Sequence, residues 1–208
     1  MRLRADHIAI ERGGRRLFSD LSFELQSGQA LAVRGPNGAG KTSLLRAVAG
    51  LLPLAEGALS VEGGDDEAPL GEEAHYLGHA DALKSALTAR ENLEFWAAML
   101  APGGMIGGKA PMGVPAALDR VGLHHAIDFP VHALSAGQKR RVALARLMVA
   151  ARPLWLLDEP LTALDRAAQE RLGEIMRDHL QAGGLIVAAT HAPLDLEISR
   201  ELRLEAAP

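Results

Sequence analysis

Three stretches of the chain hold residue types at spacings that could do chemistry. In the first, Gly35-Pro36-Asn37-Gly38-Ala39-Gly40-Lys41-Thr42 fits the pattern G-x-x-x-x-G-K-[ST], with Ser43 next in line. A backbone that wraps a phosphate must turn its N–H groups inward, and side chains would block that approach, so Gly35, Gly38 and Gly40 are bare. The start of a following helix adds about half a positive charge. Lys41 supplies a full charge to the β and γ oxygens, and the Thr42 hydroxyl can ligate Mg²⁺. Ser43 offers a further contact. A chance glycine-rich turn ending in Lys-Thr is the alternative, but a strand before and a helix after are what the pattern requires. This motif points to a nucleoside triphosphate and no further.

The second stretch, Leu154-Trp-Leu-Leu-Asp158-Glu159-Pro160, is an apolar strand that delivers two adjacent carboxylates. The carboxyl ends of strands are where open α/β sheets bind ligands. Asp158 suits the holding of Mg²⁺ through water, and Glu159 suits a general base acting on water. Two solvated acids in a turn are the bland alternative. The third stretch, Leu134-Ser135-Ala136-Gly137-Gln138, opens a helix that continues through Lys139, Arg140, Arg141 and Arg146. Ser135 and Gln138 have capping-box spacing, which by itself describes only a well-capped helix. Ser135 and Gly137 also present a hydroxyl and a bare N–H at a helix start, a second place for an anion. The residues alone leave both readings open.

These residues need elements to hold them. Leu3–Ile10 and Leu21–Leu25 read as short strands, and Ala30–Val33 as an apolar strand entering the glycine loop. A helix follows over Lys41–Ala49, with Gly50 as its stop and Pro53 beyond. The middle, about 80–150, reads as mostly helical. Thr88-Ala-Arg-Glu91 is a capping box, and Ala89, Leu93, Trp96, Ala97 and Leu100 fall on one helix face. Residues 102–115, with five Gly and three Pro, read as a loop. Leu154–Leu157 and Leu185–Ala189 are apolar runs without alternation, as in a parallel sheet covered on both faces. Between them a helix starts near Asp165 and puts Leu172, Ile175, Met176 and His179 on one face.

Composition narrows the classes. The chain has 208 residues, 48% of them hydrophobic, enough to bury a core and about right for one domain. The 22 Lys+Arg against 26 Asp+Glu give a net charge of −4, which argues against binding nucleic acid through bulk positive charge. Aromatics at 3% are too few for a base-stacking platform. With no cysteine, disulfides, Cys-ligated metals and thiol nucleophiles are excluded. No apolar run reaches the roughly 18 residues of a membrane span. The first residues, Met-Arg-Leu-Arg-Ala-Asp-His, are charged where a signal peptide would be apolar. The compartment expected is the cytoplasm, with any membrane role supplied by a partner.

Leu-Ser-Ala-Gly-Gln, placed between the glycine loop and Leu-Leu-Asp-Glu-Pro, resembles the signature motif of ABC-type ATPases. Leu161-Thr-Ala-Leu-Asp165 is similar to their D-loop, and Thr190-His191 to their switch histidine. The motifs stand in family order over residues 35–191. The resemblance implies an α/β P-loop fold with a mainly parallel sheet, an antiparallel N-terminal strand region and a helical subdomain. That places the core in 1–79 and 151–208 and the helical subdomain at about 80–150 of one domain. It implies ATP and Mg²⁺ as ligands, and a head-to-tail pair in which each ATP lies between one P-loop and the other copy's signature. Ser135, Gly137 and Gln138 would then bind ATP in trans, Asp165 would couple the dimer, and His191 would contact the γ-phosphate and orient the water with Glu159. Thr42 and Asp158 would serve the metal.

Two positions depart from the family. No aromatic for stacking on adenine occurs in Ile10-Glu-Arg-Gly-Gly-Arg-Arg-Leu, where Arg12 could stack instead. Within Tyr76-Leu-Gly-His79-Ala80-Asp81, Ala80 occupies the place of a glutamine, with His79 beside it as a possible replacement. The phrases Tyr-Leu-Gly-His, Leu-Lys-Ser-Ala-Leu-Thr-Ala-Arg-Glu-Asn-Leu and Leu-Ser-Ala-Gly-Gln-Lys-Arg-Arg resemble the ATP-binding subunits of cytochrome c maturation, the haem exporter ATPases. That narrower resemblance implies integral membrane partners, a peripheral position at the cytoplasmic face of the bacterial inner membrane, and ATP hydrolysis that drives release of a haem-loaded chaperone. No nucleic acid and no haem would touch this chain. An ABC transporter for another substrate, and a soluble ABC-type ATPase acting on ribosomes or DNA, are the alternatives.

Overall fold

The computed structural model describes residues 1–63, 70–100, 110–194, 196–198 and 200–205. Two sheets organise them. The first is antiparallel, with β1 (Arg2–Arg12) between β2 (Arg15–Gln26) and β4 (Glu56–Glu62). Alternation along β1 puts Leu3 and Ala5 on its inner face, and a register shift past Ala5 then brings in Ile8. Phe23 and Leu25 of β2 join them. This face lies against Leu44, Leu45 and Val48 of α1 (Lys41–Val48).

The second sheet is parallel. It contains β5 (Ala74–Leu77), β6 (Leu154–Asp158), β7 (Leu185–Ala189), β3 (Ala30–Arg34) and β8 (Arg200–Arg203), in that spatial order. β6 and β7 are buried at every position. Their side chains alternate between two cores, as strands covered on both faces must. Leu154, Leu156, Leu185 and Val187 pack with α1 and the antiparallel sheet. Trp155, Leu157, Ile186 and Ala188 pack on the opposite side with the remaining helices. Those are α2 (Ala89–Leu100), α3 (Val114–Arg120), α4 (Ala136–Val149) and α5 (Arg166–Gln181).

The helix starts follow their sequence signals. Thr88 and Glu91 exchange capping-box bonds ahead of α2, and Asp165 caps α5 through a bond accepted from the Ala168 N–H. Leu172, Ile175, Met176 and His179 face inward along α5. One expectation needs correction. The stretch 102–115 is not all loop, because Val114 and Pro115 begin α3 after Gly113. Proline is tolerated in a first turn, where its missing N–H has no intrahelical partner to lose. Residues 102–109 of that stretch lie outside the described residues. Strands β4, β5 and β8 also carry pairing that the apolar runs did not announce. Among the described residues no helix is long and apolar enough to cross a membrane.

Candidate active site

Because the second sheet is parallel and in register, three strand ends meet at one edge. Val33 and Asp158 each pair with Ala189. The chain leaving β3 therefore enters the glycine loop beside the chain that carries Glu159 and the chain that carries Thr190 and His191.

The loop is tightly sealed. At Gly35 (φ 145°) a Cβ would stand 2.2 Å from the carbonyl oxygen of Leu204, just past β8. Gly40 caps α1 in the left-handed region, with no side-chain bond to the helix. The first N–H groups of α1 thus take no acceptor from the cap's side chain, the condition in which a helix start can take an anion. Lys41 is buried and its ammonium donates to the carbonyls of Gly35 at 2.7 Å and Pro36 at 3.1 Å. Thr42 donates its hydroxyl to Asp158 Oδ2 at 2.8 Å. Asp158 and Ser43 are buried, and Thr190 is wholly so.

Glu159 has a left-handed backbone, with φ at 46°. Its N–H donates to the Ala189 carbonyl at 2.8 Å, the last rung of the pairing with β7 before the left-handed residue turns the chain away. Its carboxylate stands over His191, 3.4 Å from the backbone N–H and 3.6 Å from Nε2. The same Nε2 is 3.1 Å from Lys41 Nζ and 3.1 Å from Asn37 Oδ1. One ring nitrogen cannot serve both: bare it accepts from Lys41, and protonated it donates to Asn37 or Glu159. The tautomer of His191 thus selects its partner.

Arg12, Leu17, Asn37, Gly38, Gly40, Lys41, Thr42, Ser43, His79, Asp158 and Glu159 line an open cleft of about 490 Å³. Arg12, the last residue of β1, and Leu17 of β2 both belong to the stretch that holds no aromatic, and both line this cleft. His79 reaches this cleft, whereas Ala80 lines an adjoining groove. Pro36 is exposed, and Ala39 is buried beneath the loop.

Ser135, Gly137 and Gln138 do not line that cleft. Ser135 Oγ accepts from the Gln138 N–H at 3.2 Å, and Gln138 Oε1 accepts from the Ser135 N–H at 2.9 Å. The capping box is therefore present, and Ser135 is exposed at the tip of α4. A Cβ on Gly137 would stand 2.8 Å from the carbonyl of Ala163, itself in a left-handed conformation (φ 64°). Glycine is needed here within the chain, whatever approaches from outside. Asp165 is exposed on the same stretch.

One residue of the site escaped the sequence reading. Arg140 is buried and bonds the backbone carbonyls of Asp158 and Glu159. Its signal was available: with Ala143, Leu144 and Leu147 it forms the i, i+3, i+4, i+7 stripe of an apolar helix face, where an arginine needs internal acceptors.

A hydroxyl, a lysine and two carboxylates around a glycine-rich helix start define a P-loop nucleotide hydrolase site. A family model described as "ABC transporter" matches residues 18–162, and the chain belongs to that family. Among curated relatives, the cytochrome c biogenesis ATP-binding export protein CcmA of Rhodopseudomonas palustris is 54% identical over 94% of each chain. The protein of the same name from Nitrobacter winogradskyi is 53% identical over 98% of each chain. A Pyrococcus furiosus structure assigned as an ABC transporter ATP-binding protein superposes with a TM-score of 0.79 at 19% identity, covering 98% of each chain, a likeness of fold.

Proposed function

We propose that this chain is the ATP-hydrolysing subunit of a membrane-bound ABC export complex that serves cytochrome c biogenesis. The observation that carries the reading is the convergence of Lys41, Thr42, Asp158 and Glu159 on one cleft, with His191 against Lys41 and Glu159 beside it, in a chain 53–54% identical to export ATPases of that pathway.

The residues fit Mg²⁺. The Thr42 hydroxyl and the Asp158 carboxylate put oxygen donors 2.8 Å apart, the hard ligands this ion prefers. Thr42 would hold it directly and Asp158 through water, and a bound ion there neutralises charge on the β and γ oxygens. Lys41 exchanges its carbonyl partners for phosphate oxygens, and the N–H groups of residues 35–43 cradle them. Glu159 accepts the proton of the attacking water as its oxygen bonds the γ-phosphorus and the bond to the β-phosphate oxygen breaks. His191 orients that water beside Glu159.

Ser135, Gly137 and Gln138 lie away from this chain's own cleft, so we assign them to ATP held by a second copy, head to tail, with Asp165 coupling the pair. Integral membrane subunits of the same complex complete the assembly at the cytoplasmic face of the bacterial inner membrane. The division into a core and a helical subdomain near 80–150, which carries the signature, belongs to the same reading, and neither nucleic acid nor haem is a ligand.

Glu159→Gln is the direct test. It should bind ATP, accumulate as a dimer in size-exclusion chromatography with light scattering, and hydrolyse about 10²–10⁴-fold more slowly. Wild-type turnover by that variant would remove Glu159 as the base. Deleting the gene should abolish covalent haem attachment to c-type cytochromes, and unaffected cytochromes would assign the chain to another cargo.

A further inference from the structure

We propose that Arg140 is a positioning residue, which fixes the turn that carries Glu159 and ties it to the segment Gly78–Asp81. This rests on the reading of Glu159 as the base. The guanidinium has two working ends. Nη2 donates to the carbonyls of Asp158 and Glu159, each at 3.0 Å. Nη1 donates to the Gly78 carbonyl at 2.9 Å and to Asp81 Oδ1 at 3.0 Å. The side chain is only 4% exposed, so these four acceptors stand in for water at Nη1 and Nη2, while the buried Nε has no partner among the described residues.

The turn it grips needs holding. Glu159 sits in the left-handed region, which a residue with a Cβ adopts at a cost. The Ala189 carbonyl anchors the Glu159 N–H from one side. Arg140 anchors the two carbonyls from the other. With its backbone held from both sides, Glu159 starts its side chain from a fixed place, and its carboxylate lies over His191. The second end of Arg140 reaches the exit of β5. Gly78, His79 and Ala80 there line the groove that adjoins the cleft and shares Thr42 and Asp158 with it. A shift of that exit pulls on the catalytic turn through a single rigid side chain. Lysine cannot replace it, because one ammonium cannot reach both pairs of acceptors in this planar arrangement.

The test uses the full chain with Arg140→Lys and Arg140→Gln, each alone and combined with Glu159→Gln. The expected result is a 10- to 100-fold fall in kcat for ATP hydrolysis, with ATP affinity within about threefold of wild type. In the Glu159→Gln background neither Arg140 variant should lower the residual single-turnover rate further, because Arg140 acts through Glu159. An unchanged kcat, losses that multiply with that of Glu159→Gln, or a parallel loss of ATP binding overturns the proposal. So does a chain that folds with neither lysine nor glutamine at 140, since the residue would then be structural. A wild-type chain without ATPase activity would instead defeat the reading of the site itself.

Discussion

The hydroxyl of Thr42 lies 2.8 Å from Oδ2 of Asp158, across 116 residues of chain. Each is delivered by a different rule. Thr42 follows a loop whose glycines let the backbone turn onto a helix, and Asp158 ends a strand buried on both faces. Register in the parallel sheet does the rest, by setting β3 and β6 on either side of β7 so that their ends coincide.

That pairing separates two kinds of loss. Asp158→Asn keeps the shape and a hydrogen-bond acceptor for Thr42 but removes the charge. It should lower the Mg²⁺-dependent rate by about 10²-fold or more while nucleotide still binds, because the loss falls on charge stabilisation in the transition state. Lys41→Ala should weaken nucleotide binding itself. A titration of ATPase rate against Mg²⁺, beside fluorescent-nucleotide binding, distinguishes them. Equal binding losses in both variants would mean that Asp158 holds the loop rather than the ion.

Much of this was legible in the sequence because each element carried its own local signal. The capping pairs Thr88/Glu91 and Ser135/Gln138, the cap at Asp165 and the apolar runs Leu154–Leu157 and Leu185–Ala189 all read directly. What stayed hidden depends on pairing. β8 reads Arg-Glu-Leu-Arg and is mostly exposed, so only its neighbour β3 makes it a strand. β4 alternates weakly at a sheet edge. The seal of Gly35 by Leu204 joins residues at opposite ends of the chain, and no spacing rule links them. Arg140 was visible as a charge, but its four acceptors come from two loops distant in sequence.

Ser135 has one role in the fold and another proposed, and substitution can part them. Its hydroxyl caps α4, so Ser135→Ala should cost about 1 kcal/mol of stability. At this chain length that lowers Tm by about 2–4 °C. Ser135→Thr keeps the cap and should leave Tm close to wild type. If the hydroxyl also meets ATP on a second copy, the bulkier threonine should still impair ATP-driven dimerisation. Light scattering in the Glu159→Gln background reads this. Full dimerisation by both variants would leave Ser135 as a cap alone.

Two histidines are buried without an acid partner, and they make the fold sensitive to acid. His75 is 2% exposed and donates its Nε2–H to the Ala150 carbonyl, 2.8 Å away. Burial pushes its pKa down to about 3 against the ordinary 6.5, and Arg146 and Arg152 nearby push the same way. His179 stacks on Trp155 at 3.8 Å, donates to the Pro153 carbonyl, and is pushed down to about 4, chiefly by burial. The unfolded chain takes up both protons as pH falls through 6.5, while the folded chain takes them only near 4 and 3. Stability is therefore whole above 6.5 and declines below it, by up to about 1.4 kcal/mol per pH unit for each histidine. Urea denaturation at pH 7 and pH 5 should show the drop. His75→Gln, which keeps a donor for Ala150, should remove about half of the slope between those pH values. A slope unchanged by that substitution would place the acid sensitivity elsewhere in the chain.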